Sequence, residues 1–418
     1  MSISKYPLHP VNMVVVYSVL YVILPRSLAI IYETFEIEYI LPWGNYWQHL
    51  NVSTQSTLEL IVFLIGLVIA MRLSIDPLYR SILRSIQLRQ GMLVARVDKL
   101  AIVCMGLFIS FLCLVFMQGT GGWEVWLTDY SNQYVSGKSG WGWLNMPLVY
   151  LSNLFAFLIG IYFFSSDERK GGGTVFLVLC VCCIALLLSA YVQGFKSRVP
   201  YFMVFIFSTF LFVRPLKRKT YFKIGFIFLI FFMIAMYFRS NGFYSTPRQL
   251  IEYMMSYFNV LPLHDMVVLD FEQGDVFTVG FAFNKWSGYF GSSVSGDYSD
   301  VSYMHTSIFF PDMWSAKATQ QWPLISELYL SFPNYLFWVG SVFYIIVFLL
   351  IPVFLMRSRY SAIRTSGLFI FVSEFLRLFT VLRGGLLPWN LPFLILFYGF
   401  SLVFIIVISK KRSRNEAD

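Results

Sequence analysis

Long runs in which almost every position is apolar alternate with short polar turns along most of the chain. The run FIFLIFFMIAMYF at 226–238 is representative. It lacks the apolar/polar alternation of a membrane β-strand, which argues against a barrel. Several runs approach the roughly 20 residues a helix needs to cross about 30 Å of hydrocarbon. The pattern predicts ten helical spans, at 11–32, 56–74, 99–118, 144–165, 174–192, 200–213, 224–238, 334–356, 365–382 and 391–409. The sixth and seventh are short, and the first contains Pro25 and Arg26. The expected architecture is an all-α polytopic membrane protein, one integral-membrane domain over 1–418. The first apolar run is not followed by a small-residue cleavage site, so no cleavable signal peptide is expected.

Three segments between spans are long: 33–55, 119–143 and 239–333. The last contains amphipathic stretches but no apolar run of 18 residues. It predicts short helices lying at the membrane surface or folded over the bundle.

Composition agrees with the pattern. The chain is 58% hydrophobic with a mean hydropathy of +0.68 and only 13% charged residues, against roughly a quarter in a soluble domain. The net charge of +9 would suggest a nucleic-acid partner in a soluble protein. Here basic residues collecting on cytoplasmic loops explain it, and no nucleic acid is expected. Both termini in the cytoplasm puts most Lys and Arg inside, in clusters at Arg80–Arg96, RPLKRK (214–219), RSRYSAIR (357–364) and KKRSR (410–414). The acidic residues lean the other way: only Asp76, Asp98, Asp167, Glu168, Glu416 and Asp418 fall inside. All eleven Trp lie on outer loops or outer ends of spans, and flat sugar faces pack on such rings. Trp123, Trp141, Trp143 and Trp286 are candidate glycan contacts, although long outer loops also collect interfacial aromatics. The five Cys lie inside apolar runs and suggest neither a disulfide framework nor a metal site.

The basic residues on the outer side are the sharper clue. Lys196 and Arg198 lie in the turn YVQGFKSRVPYF (191–202), Arg239 and Arg248 open the large loop, and Arg383 lies in VLRGGLLPW (381–389). Snorkelling to lipid phosphates is one explanation. The other is a guanidinium cluster that grips a diphosphate bidentately, with the glycines of RGGLL letting backbone approach it. Arg377 lies inside a span three residues after Glu374, a spacing that permits a structural ion pair. Glu252, four residues after Arg248, permits another. Glu327 and His305 are candidate proton acceptors, and a histidine with no chemical role is the alternative for His305. No HExxH-type spacing, P-loop, dinucleotide fingerprint or GxSxG elbow is present. Neither a metal nor a cofactor is expected.

Three stretches, in order along a ten-span chain, resemble the bacterial O-antigen polymerase (Wzy) family, relatives of the O-antigen ligases: FKSRVPYF after the fifth span, LISELYLSFPNYLFWVGSVFYIIVF leading out of the large loop, and LRGGLLPWN late in the chain. Val199-Pro200 stands where a Gly often follows the SR pair, and His305 is followed by Thr306 rather than the Asn frequent in the ligases. The resemblance implies a GT-C-like glycosyltransferase bundle in the bacterial inner membrane, with its active site on the periplasmic side. It would transfer a growing glycan from undecaprenyl diphosphate to the non-reducing end of an incoming undecaprenyl-diphosphate-linked repeat unit. Arg198, Arg383, Arg239, Arg248 and Lys196 would hold the departing diphosphate, and Glu327 or His305 would take the acceptor proton. A chain-length regulator protein is a possible partner. The alternatives are an O-antigen ligase acting on lipid A–core, a lipid-linked oligosaccharide flippase or other transporter, and an outer-face acyltransferase.

Overall fold

The computed structural model describes residues 4–40, 52–88, 95, 97–130, 133, 141–164, 172–239, 246–289, 298, 301–312, 322–388 and 390–409. Within them the regular secondary structure is helical, apart from one isolated bridge between Val97 and Ser409. Among the described residues, eight helices are long and apolar enough to cross a membrane. They are α1 (Pro10–Thr34), α2 (Thr54–Leu88), α3 (Lys99–Gly119), α5 (Gly142–Phe164), α6 (Gly172–Gln193), α15 (Leu336–Met356), α16 (Ser361–Leu382) and α17 (Leu391–Ile408). In hydrocarbon each backbone N–H and C=O must be satisfied within the segment, and a continuous helix does this. These eight coincide with eight of the ten expected spans. The protein is therefore an all-α, multi-pass membrane protein.

The other two expected spans are the short ones. The run at 200–213 falls in a broken pair, α7 (Phe195–Ile206) and α8 (Ser208–Val213), interrupted at Phe207. The run at 224–238 is the distal part of α9 (Arg218–Arg239). A single residue, Gly194 at φ 103°, separates α6 from α7. What reads in the sequence as a polar turn is thus already the first turn of α7, with Arg198 N–H donating to the Gly194 carbonyl at 3.2 Å.

The two ends of the bundle differ. At the basic end the Leu216 N–H donates to the Lys5 carbonyl, Ala95 N–H donates to Thr365, and Val97 pairs with Ser409. The first and last described stretches are therefore at the same end. There His9 caps α1, sits 2.7 Å from Asp76, and packs on Tyr79.

At the opposite end the large loop forms a layer of short helices: α10 (Pro247–Phe258), α11 (Val260–Asp270), α12 (Phe281–Tyr289), α13 (Val301–Phe309) and α14 (Leu324–Ser331). A further short helix, α4 (Trp123–Thr128), belongs to the same end. The start of α10 is written locally. Thr246 and Gln249 make a reciprocal capping box and Pro247 takes the first helical position. The layer is folded over the bundle: α10 packs on α1, α11 on α2, and α14 on α2 and α16. In the middle stands α16. Of its most apolar window 78% is buried, against 22% for the peripheral α17.

Two local departures from α-geometry lie near the layer. A π-helical turn, Ser18–Ile23, interrupts α1 and stacks Tyr17 on Tyr21 at 5.0 Å. The turn from α16 to α17 contains Gly384 and Gly385 at φ 146° and 86°, which favours glycine at both positions.

Candidate functional site

A cavity of about 370 Å³ opens between α5, α7, α16 and α17 near the loop end. Each helix contributes one stripe. Asn145, Tyr150 and Asn153 come from α5, Arg198 and Tyr201 from α7, Ser373, Arg377 and Thr380 from α16, and Tyr398 from α17. Polar side chains within apolar helices face the bundle interior because lipid offers them no partner. The cavity's volume falls within the range of small-molecule sites, and its walls mix apolar surface with a few convergent polar groups.

Two guanidinium groups from distant parts of the chain share this space. Arg198 is delivered by the first turn of α7, where the positive end of the helix dipole adds to its charge. Arg377 is presented by a fixed scaffold. Its Nε and Nη2 lie 2.7 and 2.6 Å from Glu374 Oε2. The other Glu374 oxygen accepts from Tyr398 at 2.8 Å. Arg377 Nη1 has no hydrogen-bond partner among the described residues. The i,i+3 ion pair expected from the sequence is present, and it also aims Arg377 at the cavity. No Asp, Glu or His is among the described residues that line the cavity.

Other sequence candidates lie elsewhere. Arg383 does not join Arg198 among the lining residues. Its guanidinium sits over the rings of Tyr21 and Phe379, at 5.2 and 5.8 Å. Equal depth along the bundle did not mean adjacency around it. Arg248 is 3.1 Å from Glu252 and also donates to the Glu38 carbonyl, so the i,i+4 pair forms on the layer, away from the cavity. The side chains of Lys196 and Arg239 fall outside the described part of the structure.

The two candidate proton acceptors are both buried and belong to the layer itself, His305 in α13 and Glu327 in α14. Glu327 accepts a hydrogen bond from the Leu386 N–H at 2.5 Å, within the α16–α17 turn. His305 is fully buried, with its ring edge-on to Trp322 at 4.4 Å and stacked near Phe271. Neither of its nitrogens has a hydrogen-bond partner among the described residues. Burial, with a smaller contribution from His264, pushes its pKa down to about 3. A neutral, dry imidazole of this kind is a packing residue in the arrangement seen.

Of the candidate glycan contacts, Trp123 and Trp143 are exposed. Trp143 stacks on Trp141 at 5.8 Å, and Trp141 covers Gly119. Trp286 packs edge-on against Phe283 at 4.9 Å.

Sequence reasoning missed a polar seam that fastens the layer to α2. Glu59, one of the acidic residues near the start of the second span, accepts from His264 at 2.9 Å, Tyr335 at 2.6 Å and Gln55 at 3.0 Å. The other His264 nitrogen is 3.3 Å from Ser326. Asp265 Oδ1 accepts from the Ser53 N–H and from the Ser53 and Ser56 hydroxyls, at the N-terminus of α2. The spacing STQSTLE at 53–59 was the available signal, since it places polar groups on successive turns of a helix that is otherwise apolar. Among the described residues no group of three or more His, Cys, Asp or Glu side chains could hold a metal ion. No family model, curated protein or solved structure matches the chain.

Proposed function

We propose that the protein is a glycosyltransferase that polymerises lipid-linked O-antigen repeat units, working at the periplasmic face of a bacterial inner membrane. The observation that carries this reading is the pairing of Arg198 and Arg377 in one cavity near the loop end of the bundle. Two cations from separate helices lining one cavity make a fitting receptor for a membrane-borne diphosphate. The basic clusters at the far end fit the positive-inside rule and would put the cavity end outside.

In the reaction the acceptor hydroxyl oxygen forms a bond to the anomeric carbon of the donor glycan. The bond from that carbon to the diphosphate oxygen breaks, and undecaprenyl diphosphate leaves with the electron pair. Negative charge grows on the leaving oxygen, and fixed guanidinium groups stabilise it more in the transition state than in the ground state. The acceptor proton passes to the Tyr398 hydroxyl as Tyr398 hands its own to Glu374, the carboxylate it already contacts. Neither ATP nor a nucleotide sugar is consumed.

The test is reconstitution of the purified protein in liposomes with undecaprenyl-diphosphate-linked repeat units. A ladder of lengthened glycan without ATP is the expected product, and Arg198→Ala removes it. Transfer only to lipid A–core would identify a ligase. Passage of unreacted substrate across the bilayer would identify a transporter.

A further inference from the structure

The turn from Arg383 to Asn390 belongs to two regions at once. Its leading half is held by the loop layer. A side chain at Gly384 would place its Cβ 2.8 Å from the Trp322 carbonyl oxygen and 3.3 Å from Ser302 Oγ, so the backbone is pressed directly onto α13 and the start of α14. Two residues on, the Leu386 N–H donates to the buried Glu327 carboxylate. Its trailing half is a wall of the cavity: Pro388 and Asn390 line it, and Asn390 Nδ2 donates to the Tyr150 hydroxyl at 2.9 Å. A turn with two glycines has little conformational preference of its own. A charge-assisted hydrogen bond to its backbone is a strong way to fix it.

We infer that Glu327 is a positioning residue: its carboxylate clamps the Leu386 N–H, sets Pro388 and Asn390 against Tyr150, and so lets the loop layer fix the shape of the two-arginine cavity. The inference assigns Glu327 a role other than proton acceptor. Its consequence for catalysis rests on the reading of that cavity as the diphosphate site. The clamp itself is a statement about one hydrogen bond.

The substitutions Glu327→Gln and Glu327→Ala separate the roles. A glutamine keeps an acceptor oxygen at the same reach and cannot take a proton. An alanine leaves the Leu386 N–H without this acceptor. Full-length protein in nanodiscs is compared in three measurements: amide hydrogen exchange of the peptide covering 384–390, binding of inorganic diphosphate, and turnover across pH. The expected result is slow exchange in the wild type and in E327Q, and fast exchange in E327A. Diphosphate affinity and turnover in E327Q stay within about threefold of the wild type with an unchanged pH profile, and both fall about tenfold or more in E327A. Loss of turnover in E327Q equal to that in E327A, with exchange still slow, would overturn the inference and make Glu327 the base. Slow exchange in both variants would overturn it as well. Arg198→Ala is the control for the cavity. If it leaves diphosphate binding intact, the cavity reading fails, and the exchange measurement still decides the clamp.

Discussion

The two-arginine cavity and the polar seam under the loop layer use similar side chains to opposite ends. In the seam, Glu59 is saturated by three donors, and one Asp265 oxygen takes three more from the start of α2. Glu59, His264, Asp265 and Ser56 are buried, and Gln55 and Tyr335 close the seam at its exposed edge. At the cavity, Glu374 is not among the lining residues but engages Arg377 and Tyr398, which are. A seam of dense mutual hydrogen bonds holds elements together, whereas a cavity lined by two cations and no carboxylate among its described residues favours an anion.

The strongest way to break this contrast is to remove a cation from the cavity. Arg198→Ala and Arg377→Ala are each expected to lower polymer formation about 10²–10³-fold, as removal of a transition-state donor does elsewhere. Melting in detergent should change little for Arg198→Ala. Turnover within tenfold of the wild type for Arg198→Ala would mean that the cavity is not where the diphosphate leaves.

The seam should respond in the reverse sense. Glu59→Ala strands His264 and is expected to cost about 3–5 kcal/mol of stability, read as a large drop in melting temperature. The rate per folded molecule is expected to stay near normal. A lost rate with unchanged melting would move the seam into the chemistry.

Smaller effects sharpen the boundary between the two regions. Tyr150→Phe keeps the ring and removes the acceptor of Asn390. A loss of about 1 kcal/mol, or roughly fivefold in diphosphate affinity, is expected from one hydrogen bond.

His305→Phe is expected to change stability by less than about 1.5 kcal/mol near neutral pH, because a ring of similar size refills a dry pocket. Its signature is in the pH dependence. Folded His305 takes up a proton only near pH 3, whereas the unfolded chain does so near 6.5. The unfolded state therefore binds more protons between these values. The His305 contribution is fully present above about 6.5 and is lost as pH falls toward 3. The Phe variant should lose that slope, measured by melting across the same pH range. An unchanged slope would show that His305 is not buried neutral.

Much of the fold was legible because the bilayer leaves few choices. Eight long apolar runs became eight long helices; of the two short runs, one is a broken pair and the other lies within a continuous 22-residue helix. The site was less visible. Arg198 was singled out by its side of the membrane, and Arg377 by its charge within a span. Pairing them required knowing that α7 and α16 are neighbours, which no local pattern states. Arg198 and Arg383 look equivalent in sequence because both sit at outer ends of spans. They differ in direction around the bundle, which packing decides. Glu327 and His305 were candidate proton acceptors by residue type, and tertiary contacts place a backbone amide on one and an aromatic box around the other.

The interruption at Phe207 gives the α7–α8 pair a joint. A Cβ on Gly160 would lie 2.0 Å from the Ile206 carbonyl oxygen, so the bare glycine backbone of α5 is the fulcrum on which the upper rod rests. Arg198 stands eight residues above that point, about 12 Å along the axis. By that lever arm a tilt of about 5° carries its backbone roughly 1 Å, enough to retune the gap between two charges without unpacking the lower rod.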